Sequence, residues 1–334
     1  MIRRFLGSKD NLVSGVGIGA MSFTNFYGKT NIEESHAILK EAINLDINHI
    51  DTSNVYGMGQ SEEAIGSFLK NQGRQKQNFF KIATKAAIQR DPNTSKNTFN
   101  NNRKYLKNEL VKSLRRLGLE NIDLFYVHRR DPNYQIEEVT ETLLSFVNEG
   151  LIKHFGFSEI APSSLSRAQK IGHVGAVQSE YSLSVRGPEL GLLQSTMNNN
   201  TTFVAFSPVG RGLLTDSPPS FEKAQTIQFL KNNPRFQKMN LDINTKITQG
   251  FRDFAKELGV KAASLAIAWI LHQGDNIITI PGTRSVLHLK ELANGGLLKL
   301  KPSELKELEK ILYLGWCHGD RYSVDQWVGP EKFF

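Results

Sequence analysis

Three β-like runs in this chain close on residues that can handle a proton. His49-Ile50-Asp51-Thr52 leads on to Tyr56. Lys81-Ile82-Ala83-Thr84-Lys85 ends on an amine, and Asp123-Leu124-Phe125-Tyr126-Val127-His128 on an imidazole. A phenol is a weak acid, with an ordinary pKa of about 10. An ammonium close by stabilises the phenolate and lowers that value. A carboxylate beside the lysine keeps it charged and holds it in place. An imidazole opposite can hydrogen-bond the same oxygen that the phenol protonates. Asp51, Tyr56, Lys85 and His128 are therefore the candidate catalytic set. Together they suit delivery of a proton to a carbonyl oxygen, with a hydride supplied from elsewhere. Taken singly, each reads as the solvated end of a strand. Their shared position, just past the C-terminal end of a strand-like run, singles them out.

The elements that must carry them alternate along the chain. A small hairpin is expected over 2–12. Strands are expected at 16–19, 49–51, 79–84, 123–127, 155–157, 174–178, 202–206 and 277–280. Apolar residues at helical spacing separate them, at 33–45, 61–69, 105–117, 139–147, 163–171, 189–197, 247–258 and 262–272, with further helices from Leu287 and Ser303. Strand then helix, repeated about eight times, calls for parallel strands, in a doubly wound sheet or a closed barrel. In a (β/α)₈ barrel every strand end converges on one face, where active sites are built. Two stretches exceed ordinary loop length, 89–104 and 210–244, and would overhang that face.

At 334 residues the chain fits a single α/β barrel spanning 1–334, with no break of composition to mark a second domain. No run of about 18 apolar residues exists, so a membrane span is not expected. The segment after Arg3 and Arg4 is broken by Gly7, Ser8, Lys9 and Asp10, unlike a signal peptide. One cysteine, Cys317, leaves no internal disulfide and no Cys/His metal site, and points to the cytoplasm. The net charge of +8 fits either a basic solvated surface or an anionic ligand. The basic residues form no dense run with interleaved aromatics, which argues against nucleic acid.

Gly15-Val16-Gly17-Ile18-Gly19-Ala20 satisfies the G-x-G-x-x-A dinucleotide fingerprint. Its context does not: no clear strand precedes it, and Met21 to Gly28 does not open a helix. None of the eight tyrosines has a lysine four residues on, so the short-chain dehydrogenase pairing is also missing.

In order along the chain, the motifs instead resemble the aldo-keto reductase superfamily. Asp51-Thr52-Ser53-Asn54-Val55-Tyr56-Gly57 is similar to its D-T-x-x-x-Y-G segment. Ala83-Thr84-Lys85 and Val127-His128-Arg129 match its lysine and histidine strands. Gly156-Phe157-Ser158-Glu159, Gln178-Ser179-Glu180-Tyr181-Ser182, Phe206 to Leu214 and Ile280-Pro281-Gly282-Thr283-Arg284 match its cofactor segments. Asn233-Pro234-Arg235-Phe236-Gln237 resembles a loop of the bacterial and plant branch that includes perakine reductase.

The resemblance implies a (β/α)₈ TIM barrel that binds NADPH extended across the strand ends and reduces an aldehyde or ketone. It implies that Ser158 and Gln178 hold the nicotinamide carboxamide and that Phe206 stacks on the ring. Ser207, Val209 and Arg211 would line the pyrophosphate. Thr283 and Arg284 would take the adenosine 2′-phosphate, with His288 beside them and Glu291 on the adenine. Tyr56 would be the general acid, Lys85 would lower its pKa, Asp51 would orient Lys85, and His128 would position the carbonyl. Glu159 stands where many members have Asn, Phe206 where Tyr is commoner, Leu292 where Asn is usual, and His288 where some have Arg. A redox-sensing subunit on the same fold, like the potassium-channel β subunits, is the alternative role. Substrate choice is expected to rest on Phe23, Phe26 and Tyr27, the Arg129-to-Tyr134 loop, and Trp316, Trp327, Phe333 and Phe334. The oligomeric state is not legible.

Overall fold

The computed structural model describes residues 1–72, 78–90 and 97–332. Eight parallel strands form its centre: β3 (Ile18–Gly19), β4 (His49–Asp51), β5 (Lys81–Ala86), β8 (Ile122–Val127), β9 (Ile152–Ser158), β10 (Ala176–Glu180), β11 (Thr202–Phe206) and β12 (Ile277–Thr279). They pair in chain order, and the ring closes where Val16 bridges Thr279 in parallel. Backbone bonds from Gly17 N to Thr279 O (2.7 Å), Thr279 N to Gly15 O (2.9 Å) and Gly19 N to Pro281 O (2.9 Å) complete the seam. The barrel expected from the sequence is the fold observed.

The glycine-rich segment serves this seam. A Cβ on Gly19 would lie 2.4 Å from the Ile280 carbonyl oxygen, and one on Gly17 2.9 Å from the His49 ring. The next residues, Ala20–Phe23, form a 3₁₀ turn, not the helix that a dinucleotide fingerprint needs.

Side chains alternate across a strand, so each strand sends one parity into the barrel and the other toward the helices. Ala83, Leu124, Tyr126, Ala176, Val204, Ile278 and Ile280 make the inner cluster. The hairpin of β1 (Arg3–Leu6) and β2 (Ser8–Ser14) adds Leu6 and Val13 to it. Gly7 N bonds the Thr202 hydroxyl (3.2 Å) at the start of β11, so the hairpin covers the N-terminal end of the barrel. The opposite parity packs with the surrounding helices in the larger outer cluster.

Both long stretches carry structure. Part of the first is a second hairpin, β6 (Ile88–Arg90) with β7 (Asn97–Phe99). The second holds short helices at Phe221–Gln225 and Gln228–Lys231, around a small core of Leu213, Ala224, Leu230 and Phe236. The helix expected from residue 247 starts earlier, at Lys238, because Leu241 and Asn244 are also buried. No helix among the described residues is long and apolar enough to cross a membrane.

Candidate active site

Inward parity brings the candidate residues together. Asp51 ends β4, and Lys85 is two residues on from Ala83 of the inner cluster. His128 is two on from Tyr126, Ser158 and Phe206 end β9 and β11, and Gln178 lies level with Ser158 in the middle of β10. Tyr56 comes from the loop after β4. Gly57 at φ 60, Met58 at φ 55 and Gly59 at φ 103 turn the chain immediately after it. Non-glycine residues with positive φ recur in the loops on this face, at Met58, Ala87, Glu159, Ser207 and Arg211. Such backbone is costly and concentrates at functional sites.

Lys85 is wholly buried, Asp51 is 2% exposed, and the two form an ion pair. Lys85 Nζ also donates to the Thr52 carbonyl (2.8 Å) and lies 5.3 Å from the Tyr56 ring centre. Burial presses the ammonium's pKa down, and the charge and hydrogen bond of Asp51 oppose it. The Tyr56 and His128 rings meet edge to face, 5.9 Å apart. The Tyr56 hydroxyl and His128 Nε2 have no hydrogen-bond partner among the described residues, and neither is sealed from solvent. Two free polar atoms on facing rings can both hydrogen-bond one carbonyl oxygen.

The electrostatics depart from the sequence reading at one point. Lys85 is expected to lower the Tyr56 pKa. Instead burial raises it, the Asp51 charge adds to the rise, and Arg129 only partly offsets both. Tyr56 is a phenol throughout the neutral range. Burial drives His128 well below its ordinary value, with Arg129 and Lys85 adding to the shift, so its ring is neutral. The Ser53 hydroxyl lies 3.1 Å from His128 Nδ1, leaving Nε2 toward the site. Ser53 is a residue the sequence reading missed; its place two positions beyond Asp51, on the same parity, was the available signal.

Several expected cofactor residues are engaged with the protein itself. Gln178 Nε2 donates to Asp51 Oδ2 (2.8 Å), because the carboxylate offers a second oxygen beside the one Lys85 takes. The Ser158 hydroxyl accepts from Arg129 Nη1 (3.0 Å). Glu159 pairs with Arg321 and accepts from Glu180 N (2.9 Å), so it ties down the chain's C-terminal segment. Arg284 donates to the carbonyls of Lys29 (2.6 Å) and Tyr27 (3.1 Å). Leu292 packs in a cluster with Val16 and Ile267, which accounts for an apolar residue there. Phe206, Ser207, Val209, Thr283 and Glu291 are half-buried, and His288 is exposed.

Two features fit an extended dinucleotide. Arg211 pairs with Glu180 (2.7 Å) and lies against the rings of Phe229 and Tyr322, yet its buried Nε and Nη1 have no partner among the described residues. Orphaned buried guanidinium N–H groups call for an anion such as a pyrophosphate. Thr283 and Arg284 lead into the helix Val286–Gly295, capped by Ser285, and a helix N-terminus favours a phosphate.

The expected substrate wall changes in part. Trp316 is 1% exposed and donates to the Leu183 carbonyl (2.8 Å), so it is a core residue. Trp327 stays half-buried, stacked near Arg321 (4.7 Å). Phe333 and Phe334 lie outside the described residues.

Comparison with known proteins gives a consistent result. Residues 15–313 match the Aldo/keto reductase family. The chain is 36% identical over 318 residues to the aldo-keto reductase yakc [NADP(+)] of Schizosaccharomyces pombe, covering 94% of this chain and 92% of that protein. It is 33% identical to a probable aldo-keto reductase 1 of Glycine max, over 95% of this chain and 90% of that one. Among solved structures, a glycerol dehydrogenase of Gluconobacter oxydans superposes with a TM-score of 0.81 at 25% identity, covering 93% of this chain and 94% of that one. An aldo-keto reductase of Bacillus halodurans shares the fold, with a TM-score of 0.76 at 23% identity, over 98% of this chain and 99% of that one. Matched over most of its length and clearly related to proteins it covers almost end to end, the chain belongs to the aldo/keto reductase family.

Proposed function

We propose that this protein is an NADPH-dependent reductase that converts a small aldehyde or ketone to the alcohol. The facing, unpartnered Tyr56 hydroxyl and His128 Nε2, set above the buried Lys85–Asp51 pair, carry the reading. NADPH, when bound, supplies the hydride.

His128 is neutral, and with the Ser53 hydroxyl on Nδ1 its Nε2–H donates to the carbonyl oxygen and orients it. Tyr56 remains a phenol and releases its proton as the oxygen becomes an alkoxide, a stronger base than a phenolate. Lys85 stabilises the phenolate left behind, and Asp51 keeps Lys85 charged against its burial. Arg211 would hold the pyrophosphate. Ser207 and Val209 would flank it, and Phe206 would stack on the nicotinamide. Ser158, and Gln178 on releasing Asp51, would bind the carboxamide. Thr283, Arg284 and His288 would meet the 2′-phosphate, and Glu291 the adenine. The name of the S. pombe relative specifies NADP(+), which supports the cofactor. We read residues 1–334 as one reductase domain acting in the cytoplasm on small molecules.

The test is turnover. The purified protein, given NADPH and a panel of aldehydes and ketones with pyridoxal included, should oxidise the cofactor in step with alcohol formation. No turnover across the panel, or full turnover by Tyr56→Phe, would refute the reading.

A further inference from the structure

Four arginines stand around the mouth of the site, and three of them are matched by carboxylates. Arg211 pairs with Glu180, Arg321 with Glu159 and Glu180, and Arg130 with Glu331. Arg129 pairs with none among the described residues. Its backbone carbonyl accepts from buried Asn101 (3.1 Å). Its aliphatic stem lies against Gly329, where a Cβ would come within 2.9 Å of it. Nη1 bonds the His128 carbonyl (2.6 Å) and the Ser158 hydroxyl (3.0 Å), so the guanidinium is fixed between the ends of β8 and β9. Nε and Nη2 have no acceptor among the described residues and are not sealed from solvent. Those two groups form the side-on edge of a guanidinium, the edge that holds a carboxylate with two parallel hydrogen bonds.

We propose that Arg129 is a specificity-determining residue, and that the preferred substrates are carbonyl compounds bearing a carboxylate, which its free Nε/Nη2 edge binds. The inference rests on the reductase reading and names its substrate class. The guanidinium stands beside the site, bonded to the His128 carbonyl and the Ser158 hydroxyl, and its charge acts on Tyr56, His128 and Lys85 as well as on Glu159. The Tyr56 hydroxyl and His128 Nε2 hold the carbonyl oxygen, and Arg129, next in the chain to His128, holds the far end of the molecule. Arg130 is excluded from this role because Glu331 and the Tyr134 carbonyl occupy it.

Matched substrates separate this inference from the function on which it rests. Initial rates with NADPH would be measured for 2-, 3- and 4-carboxybenzaldehyde and for the methyl ester of each. Turnover of the neutral esters tests the reductase reading alone. The ratio of kcat/KM, acid over ester, tests Arg129. A charge-assisted bidentate pair predicts a ratio of roughly ten- to a hundredfold at one ring position or more. Added salt should shrink it. In Arg129→Gln the ratio should fall to about one, and Arg129→Lys should recover only part of it, because an ammonium lacks the planar fork. A wild-type ratio near one at all three positions overturns the proposal without recourse to any variant. An undiminished ratio in a folded Arg129→Gln protein overturns it as well.

Discussion

Tyr56 offers its hydroxyl to no protein group among the described residues, so its removal should be felt in chemistry rather than folding. Tyr56→Phe is expected to lower kcat by about 10²-fold or more while NADPH binding persists. Single-turnover rates beside a cofactor titration would check both halves. Asp51 acts one step back. Without its charge nothing comparable opposes the burial that depresses Lys85, so Asp51→Asn should shift the alkaline limb of the pH–rate profile to lower pH. An unmoved limb in an active variant would mean that Lys85 keeps its proton by another route. His128 sets an acid-side expectation. Its pKa is lower folded than unfolded, so the unfolded chain binds the proton first as pH falls below about 6.5. Its neutral burial therefore favours the fold above that value, and the advantage is lost going down, by up to about 1.4 kcal/mol per pH unit. His128→Asn should flatten part of the fall in stability between neutral pH and about pH 5, as read from denaturant midpoints. An unchanged slope would place the acid sensitivity elsewhere, with buried His49 next in line.

Among elements, the seam between β3 and β12 is the most demanding. Gly19→Ala places a methyl against the Ile280 carbonyl and should cost about 1–3 kcal/mol through overpacking. Gly118→Ala is the control. Its φ of 67° carries conformational strain, but nothing lies within 4 Å of the added carbon. Its cost should stay near 1 kcal/mol. Thermal unfolding of the two variants, each against wild type, would rank them, and a larger loss at Gly118 would contradict a tight seam. The loop after β12 is proposed to set cofactor preference. Arg284 already anchors the backbone at Tyr27 and Lys29, so Arg284→Ala should weaken NADPH binding about tenfold or more, and NADH binding less. Equal losses for the two nucleotides would assign Arg284 to loop anchoring alone.

At the scale of the whole molecule, the C-terminal segment is tied back onto the strand ends. Asn233 and Arg235 bond the carbonyls of Arg321 (2.7 Å) and Gly319 (3.1 Å). Arg321 reaches Glu159 and Glu180, and Glu331 accepts from Ala161 N (2.8 Å). Arg321→Ala would leave Glu159 without its ion-pair partner and weaken the hold on the segment. Limited proteolysis between 312 and 332 should become faster than in wild type, while the barrel survives. Cleavage at an unchanged rate would show that the backbone bonds alone secure the segment.

The order of strands and helices was legible in the sequence because each element announces itself locally, by period-two or helical spacing and by a turn residue at its end. Asp51, Lys85 and His128 were legible for a related reason. Each ends a strand, and a closed parallel barrel brings all strand ends to one face. Tyr56 was singled out by its proton chemistry just beyond the strand that ends in Asp51, and the cofactor residues through motif resemblance, since no periodicity marks them. The partners of these side chains were not legible. Gln178 bonds to Asp51, Arg284 to the loop at Tyr27 and Lys29, Glu159 to Arg321, and Arg129 to no carboxylate among the described residues. These pairings join residues 127, 255 and 162 positions apart in the first three cases. The burial that holds Tyr56 as a phenol and His128 neutral is likewise a property of the assembled barrel. Local sequence specifies which residues stand at a strand end. Closure of the ring decides which charges meet there.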